Sequence, residues 1–454
     1  MGFGELVMSE IPPEIKEFFN SFPGQTFLVK GRPGTGKSIF ALEILREFSE
    51  RGNGLYISTR MEPRRLYAIS PWIREFIPER NVIDATQRKL RRSLKLESER
   101  RIKTFDYGTV LEFFKAIYED AEEMENPMII FDSWDGVISH LNLDGEAASL
   151  TQSICDFCRD LETHVVFVAE REEQTYVDFI VDGVVTLRKY WIAGSPVEED
   201  VKNCMVREIE INKLRGIYIK QPKYLFTLKD GRFRSFSPFM EKIPSTIKPT
   251  KDMDEQHLTS GIRDLDEILG WLSPGSFNLW EVGHGVNKRY DQMLFQACMN
   301  VIANGGGVVG IPPMGSSIIT RRMDNLVIYQ PETDDVNIET SSFLGVARQI
   351  RERTGRPIMS FISIDTLENI FGLSNSLKFL ENVFSISRET GMLSFLIYIM
   401  RSESPLSRFI TQAVDTHITF MDVDGALAIR PIRPPKGLYG ITSDEEGVRL
   451  IPIV

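Results

Sequence analysis

The sequence predicts an α/β protein built from two tandem domains with mostly parallel central sheets. Apolar strand-like runs alternate with helix-like runs, and a glycine-rich loop pattern lies near the start. The landmarks of the first half also recur in the same order in the second half. Prolines with serine, threonine and lysine between about 236 and 257 indicate a linker. We therefore expect domains at 1–240 and 241–454.

The first domain opens with a pattern of strand, loop and helix. Residues 25–30 form an apolar run that predicts a buried strand, and the apolar spacing over 39–45 predicts a helix. Later segments predict further strands at 55–58, 127–133, 164–170, 182–187 and 208–213. Strands that alternate with helices in this way are typical of a parallel sheet.

Between that first strand and helix, the segment 31–38 fits G-x-x-x-x-G-K-[ST] at every fixed position. The residues expected to bind phosphate are Gly31, Arg32, Pro33, Gly34, Thr35, Gly36, Lys37 and Ser38. Glycines let the backbone approach phosphate oxygens, and the helix that follows adds the positive end of its dipole. Lys37 is expected to reach the β- and γ-phosphates, and the Ser38 hydroxyl is expected to bind Mg²⁺. The loop therefore predicts binding of ATP or ADP with Mg²⁺.

Asp132 is the predicted carboxylate partner of Ser38 on the metal. Four apolar residues precede it, so it should end a buried strand at the edge of the sheet that faces the loop. A strand-terminal aspartate can also serve only as a helix cap, and the residues alone leave both interpretations open.

The second domain repeats the plan but has lost its phosphate loop. Strands are expected at 275–280, 306–311, 361–366 and 415–420. If Gly283 matches Gly31, then Lys288 replaces a loop glycine, Arg289 replaces the lysine and Tyr290 replaces the metal-binding serine. A lysine side chain would stand where phosphate must approach, and tyrosine cannot place a hydroxyl at the distance of serine. We expect a structural or regulatory role for this domain.

Composition limits the class of protein and its partners. The chain has 454 residues, a net charge of −11 and no apolar run long enough to cross a bilayer. Its start lacks the pattern of a signal peptide, so we expect a cytoplasmic protein without a membrane partner. The acidic balance counts against a generally basic nucleic-acid binder. A basic run at 88–103 could contact DNA phosphates, but a solvated helix or mobile insertion is the favoured interpretation, and a protein-docking surface is a further alternative.

Three landmarks resemble the RecA superfamily and, within it, the KaiC-like ATPases. They are the loop followed by the strand that ends at Asp132, the segment 258–270, which is similar to the opening of a KaiC-type domain, and the Lys-Leu-Arg-Gly motif at 213–216. The resemblance covers most of the chain in two copies. It implies two RecA-like P-loop domains, the second degenerate.

The pattern is also similar to the GvpD group, a branch of archaeal regulators linked to gas-vesicle genes. The segments 29–43 and 57–60 carry this similarity. A regulatory role follows from it only by analogy.

The resemblance implies roles for further residues. Lys213 and Arg215 would reach the nucleotide of a neighbouring subunit in a homo-oligomer, which is a hexamer in KaiC-like proteins, although two surface cations on an edge strand remain an alternative. KaiC-like ATPases carry paired glutamates after the second strand, where this chain reads Thr-Arg-Met-Glu at 59–62. Glu62 is the nearest substitute for the base, so we expect slow hydrolysis or binding with little turnover.

Three functions are compatible with these features. The leading one is a regulatory or assembly ATPase whose conformation or oligomeric state changes with nucleotide, with a regulatory protein as partner. The second is a DNA-binding recombinase-like ATPase. The third is a protein kinase of KaiC type, although the resemblance assigns that chemistry to the second domain, where the loop is broken.

Overall fold

The structure is a computed structural model that describes residues 11–50, 52–84, 117, 124, 127–141, 145–192, 203–240, 249–252, 254, 256–320, 323–399, 405–444 and 446–454. These residues form two compact units that lie mainly within 8–237 and 238–452. The domain limits 1–240 and 241–454 stay a prediction. The basic run at 88–103 lies outside the described residues.

The first unit alternates helices and strands. Its helices are α1 (Pro13–Ser21), α2 (Lys37–Phe48), α3 (Pro63–Ile69), α4 (Trp134–Leu141), α5 (Ala147–Asp160) and α6 (Tyr176–Ile180). Its strands are β1 (Thr26–Lys30), β2 (Gly54–Ser58), β3 (Val82–Asp84), β4 (Met128–Asp132), β5 (His164–Val168), β6 (Gly183–Ile192), β7 (Cys204–Leu214), β8 (Lys223–Thr227) and β9 (Arg234–Ser235).

The strands of the first unit form one sheet in the order β3-β2-β4-β5-β1-β6-β7-β8-β9 among the described residues. Neighbours from β3 to β6 run parallel, and β7, β8 and β9 add an antiparallel extension. The carboxyl ends of β1, β4 and β5 therefore lie side by side at one edge. Ligands of open α/β sheets bind at such an edge.

The core of the first unit has a layer on each face of the sheet. Along β1, the side chains of Phe27 and Val29 pack in the layer that contains α2, whereas Leu28 packs in the opposite layer. This alternation follows from the two-residue period of a strand. A strand buried on both faces reads as a continuous apolar run, which is why the sequence predicts β1 correctly.

The second unit repeats this architecture. Its helices are α7 (Arg263–Leu269), α8 (Asp291–Ala303), α9 (Val336–Thr354), α10 (Ile364–Thr390) and α11 (Pro405–Ala413). Its strands are β10 (Phe277–Val282), β11 (Gly307–Ile311), β12 (Leu326–Ile328), β13 (Ile358–Ser363), β14 (Leu393–Ile399), β15 (Thr416–Val423), β16 (Ala426–Arg433), β17 (Tyr439–Asp444) and β18 (Gly447–Pro452). Their order, β12-β11-β13-β14-β10-β15-β16-β17-β18, matches that of the first sheet. The predicted fold of two tandem, mostly parallel α/β domains is confirmed.

One strand of the second unit ends earlier than the sequence suggests. The run 361–366 predicts a strand through Asp365, but β13 ends at Ser363 and Asp365 lies in the first turn of α10. Ser363 pairs with Ile397 of β14 as Asp132 pairs with Val168 of β5. Ser363 is therefore the residue that ends β13, as Asp132 ends β4. An apolar run cannot show where a strand gives way to a buried helix, which explains the difference.

No described helix of the chain is both long enough and apolar enough to cross a membrane.

Candidate functional site

The loop of the first unit joins the end of β1 to the start of α2 at Lys37. Gly34 and Gly36 have φ angles of 79° and 105°, in the left-handed region that favours glycine. A Cβ on Gly36 would lie 2.7 Å from Cδ1 of Leu228, so a larger residue would also clash there. A Cβ on Gly34 would meet nothing within 4 Å. The loop is therefore open at Gly34, where a phosphate oxygen has room.

The side chain of Lys37 folds back onto the loop. Its Nζ donates hydrogen bonds to the carbonyl oxygens of Gly31 at 2.7 Å and Arg32 at 3.0 Å. Burial lowers the pKa of Lys37, while the negative charges of Glu170 and Asp132 act in the opposite direction. Lys37 can exchange these two carbonyl partners for phosphate oxygens, which would satisfy the same donors with a stronger, charged acceptor.

Arg207 fixes the shape of the loop from the neighbouring part of the sheet. It lies on β7, and its Nη1 donates to the carbonyl oxygens of Gly34 and Thr35, each at 3.1 Å. Burial lowers the pKa of this guanidinium. The sequence analysis missed Arg207 because it lies far from the loop in sequence and within no motif.

The two predicted metal ligands both lie near the hydroxyl of Tyr56. This hydroxyl donates to Oδ2 of Asp132, and the Ser38 side chain acts to lower its pKa. Tyr56 is fully buried, and burial together with the Asp132 charge raises its pKa well above the usual range. A hydroxyl and a carboxylate oxygen within reach of one point are hard ligands of the kind that Mg²⁺ prefers. The donor set therefore fits the predicted magnesium site, although the metal roles of Ser38 and Asp132 stay predictions.

Glu62, the predicted base, lies apart from these groups. It is exposed at the N-cap of α3, and its side chain makes no hydrogen bond or ion pair with the rest of the described chain. Arg60, two residues earlier, forms an ion pair with Glu170, which follows the end of β5. The sequence analysis assigned no role to Glu170 because a single glutamate after a strand forms no motif. The role of Glu62 stays a prediction.

Lys213 and Arg215 contact their own subunit in this structure. Lys213 Nζ donates to the carbonyl oxygens of Asp178 at 3.0 Å and Val181 at 2.6 Å, at the C-terminal end of α6. Arg215 Nη1 donates to Oδ1 of Asp182 at 2.5 Å, and 60% of the Arg215 side chain is exposed. Their predicted reach to the nucleotide of a neighbour therefore requires at least partial exchange of these partners, and it stays a prediction.

The corresponding loop of the second unit is closed by its own side chains. Arg289 donates to the carbonyl oxygens of Val286 at 3.0 Å, Gly285 at 2.6 Å and Gly425 at 2.8 Å, and it forms an ion pair with Asp422. The helix begins at Asp291, so Arg289 belongs to the loop, whereas Lys37 is the first residue of α2. The second loop, which the sequence predicts to be degenerate, thus has the Arg289 guanidinium bound to its carbonyl oxygens.

Comparisons with known proteins agree with this geometry. Residues 15–211 match the family model described as "GvpD gas vesicle protein, P-loop domain". The chain is 26% identical to protein GvpD2 of Halobacterium salinarum over 80% of this chain and 81% of that protein. It is also 26% identical to protein GvpD1 of the same organism, over 67% of this chain and 57% of that protein. The circadian clock protein KaiC3 of Synechocystis is 25% identical over 54% of this chain and 47% of its own length. The similarity to GvpD and KaiC-like proteins that the sequence predicts is confirmed, and with it a nucleotide-binding P-loop in the first unit.

Proposed function

Because this chain is a GvpD- and KaiC-like P-loop protein, we propose that it is a regulatory ATPase that binds Mg²⁺-ATP in its first unit and hydrolyses it slowly. The single observation that carries the proposal is the convergence of Lys37, Ser38 and Asp132 at one edge of the first sheet. An ammonium, a hydroxyl and a carboxylate in this arrangement are the groups that phosphoryl transfer requires.

Each group has a distinct task in this proposal. Lys37 leaves the carbonyl oxygens of Gly31 and Arg32 and binds the β- and γ-phosphates, while the loop amides from Gly34 onward contact phosphate oxygens. Ser38 and Asp132 would hold Mg²⁺ in place of their contacts with Tyr56. When bound, the metal supplies positive charge that offsets the charge of the phosphate oxygens.

The regulatory part of the proposal rests on the printed names of the relatives, which are a gas vesicle protein and a circadian clock protein. We propose that nucleotide state controls the conformation or the oligomeric state of this chain, and through it a protein partner. In a homo-oligomer, Lys213 and Arg215 would approach the nucleotide of the neighbouring copy. The exposure of Arg215 agrees with such a contact.

Neither alternative function gains support from a specific observation. A KaiC-type kinase would need a phosphate-binding loop in the second unit, but in the described part of that loop Arg289 binds the carbonyl oxygens. The acidic net charge of −11 opposes general DNA binding.

ATP turnover measured across a series of protein concentrations tests the proposal, with Lys37→Ala as the control. We expect slow turnover that depends on Lys37 and rises more steeply than protein concentration, because a neighbour must supply cations. Linear turnover would contradict the role of the neighbour. The absence of ATP binding to the unsubstituted protein would contradict the proposal itself.

A further inference from the structure

An ion pair crosses the edge of the first sheet where the phosphate groups of ATP are expected. Ser58 of β2 and Val168 of β5 both pair with Asp132 of β4, one on each side. Arg60 and Glu170 each lie two residues beyond those positions. Their ion pair therefore passes beside the end of β4, next to the predicted metal ligand.

The strand order also brings Glu170 next to the loop. Val168 pairs with Val29 of β1, and the amide of Ala169 donates to the Val29 carbonyl oxygen at 2.9 Å. The loop begins directly after β1, so Glu170 and the loop share one edge of the sheet. The Glu170 backbone amide donates to Oδ2 of Asp135 at 2.9 Å, which fixes the backbone at this position.

Electrostatics agree with this placement. Among the charges that affect the pKa of Lys37, that of Glu170 has the largest effect, followed by those of Asp132, Arg60 and Asp135. Lys37 is the residue expected to contact the γ-phosphate, so Glu170 belongs to the group of charges around the place expected for that phosphate. Its side chain is 25% exposed, so water can reach it. Glu62 is not among the groups with the largest effects on the pKa of Lys37.

We propose that Glu170 is the general base for hydrolysis in the first unit and that Arg60 holds its carboxylate when no nucleotide is bound. This inference rests on the proposed function and deepens it. As the oxygen of a water molecule bonds to the γ-phosphorus, Glu170 accepts a proton from that water. The bond from the γ-phosphorus to the bridging oxygen breaks, and its electron pair stays on ADP. Inorganic phosphate leaves, and the proton passes from Glu170 to solvent.

The ion pair explains why hydrolysis would be slow. Arg60 binds Oε1 of Glu170, so the carboxylate must turn out of this contact to face the attacking water, and the freed guanidinium can then bind a phosphate oxygen. A chain with a free glutamate after β2 would need no such exchange.

Glu170→Gln tests the proposal, because it removes the proton acceptor and keeps the size of the side chain. We expect single-turnover hydrolysis of Mg²⁺-ATP to fall about 100-fold, the usual contribution of a general base. The Kd for a fluorescent ATP analogue should not rise by more than about threefold, because Glu170 binds no phosphate and the released Arg60 can only add a contact to one. Glu170→Asp, which retains a carboxylate, should recover part of the rate. Glu162→Gln, an exposed glutamate at the other end of β5, is the matched control and should leave both values unchanged.

The outcomes separate this inference from the function on which it rests. Undiminished turnover in Glu170→Gln, with ATP binding intact, would overturn the role of Glu170, and a selective loss in Glu62→Gln would assign the base to Glu62. ATP binding without any Lys37-dependent turnover in the unsubstituted protein would also overturn it, while leaving nucleotide binding in place. Failure of the unsubstituted protein to bind ATP would overturn the proposed function.

Discussion

The two loops at the ends of β1 and β10 occupy matching places in two sheets of the same strand order, yet their cations differ in position and in the number of their partners. Lys37 begins a helix and contacts two loop carbonyls beside the carboxylate of Asp132. Arg289 lies within its loop and contacts three carbonyls and an aspartate, while β13, the counterpart of β4, ends at Ser363 rather than at an aspartate. The same fold can therefore hold an open phosphate loop or one closed by its own side chain.

The comparison shows that the fold does not depend on the loop. Both units bury apolar layers on the two faces of the sheet, and these layers persist in the second unit after the loop motif is lost. Burial of apolar area is the main favourable term in folding, whereas the loop contributes a few hydrogen bonds. A unit of this fold can therefore lose its phosphate site and still keep its fold.

The largest effect should come from exchanging the two cations for methionine. Lys37→Met should weaken binding of an ATP analogue at least about 100-fold, because a charged contact to the phosphates disappears. Arg289→Met should leave this affinity unchanged but destabilise the second unit by about 1–3 kcal/mol, because three carbonyl oxygens lose a donor. Nucleotide titration and hydrogen exchange over α2 and α8 measure the two effects. A loss of affinity in Arg289→Met would show that the second loop takes part in nucleotide binding.

A smaller effect should distinguish the two buried tyrosines next to these loops. Tyr56→Phe removes a hydrogen bond to the carboxylate of Asp132 and should lower the free energy of unfolding of the first unit by about 1.5 kcal/mol. Tyr290 makes no side-chain hydrogen bond with the described part of the second unit, so Tyr290→Phe should change stability by less than about 0.5 kcal/mol. Urea denaturation followed by hydrogen exchange in each unit provides the measurement. Equal effects of the two substitutions would contradict the comparison.

The smallest effect should be a sensitivity of the first unit to acid. His164 opens β5, its Nδ1 accepts a hydrogen bond from the amide of Gln25, and burial lowers its pKa from 6.5 to about 4. Leu393 opens β14 in the second unit. Because the folded-state pKa of His164 is below the unfolded one, its contribution to stability is complete above about pH 6.5 and is lost as the pH falls towards 4. The loss should reach about 1 kcal/mol at about pH 5.5.

His164 should therefore make the first unit, and not the second, less stable in this pH range. Hydrogen exchange followed separately in each unit measures this effect. His164→Asn, which retains an acceptor for the Gln25 amide but cannot gain a proton, should remove this component of the pH dependence. A pH dependence unchanged by the substitution would assign it to other groups.

Local patterns in the sequence predicted the alternation of strands and helices, the repeat and the phosphate loop. These features are local, because a buried parallel strand needs a run of apolar residues and a phosphate loop needs glycines at fixed spacing. The predicted end of the strand at 361–366 was wrong, because a buried apolar residue such as Ile364 fits the start of a helix as well as the end of a strand.

The residues that meet at the edge of the first sheet from distant parts of the chain could be identified only from the fold. Tyr56, Arg207 and Glu170 come to this edge from three different strands or strand ends, and none of them lies in a motif. Strand order and register set these contacts, and both depend on how apolar faces pack over the whole unit. The same holds for Arg289. The sequence shows that an arginine replaces the lysine of the motif, but only the folded loop shows that its guanidinium binds three carbonyl oxygens and closes the site.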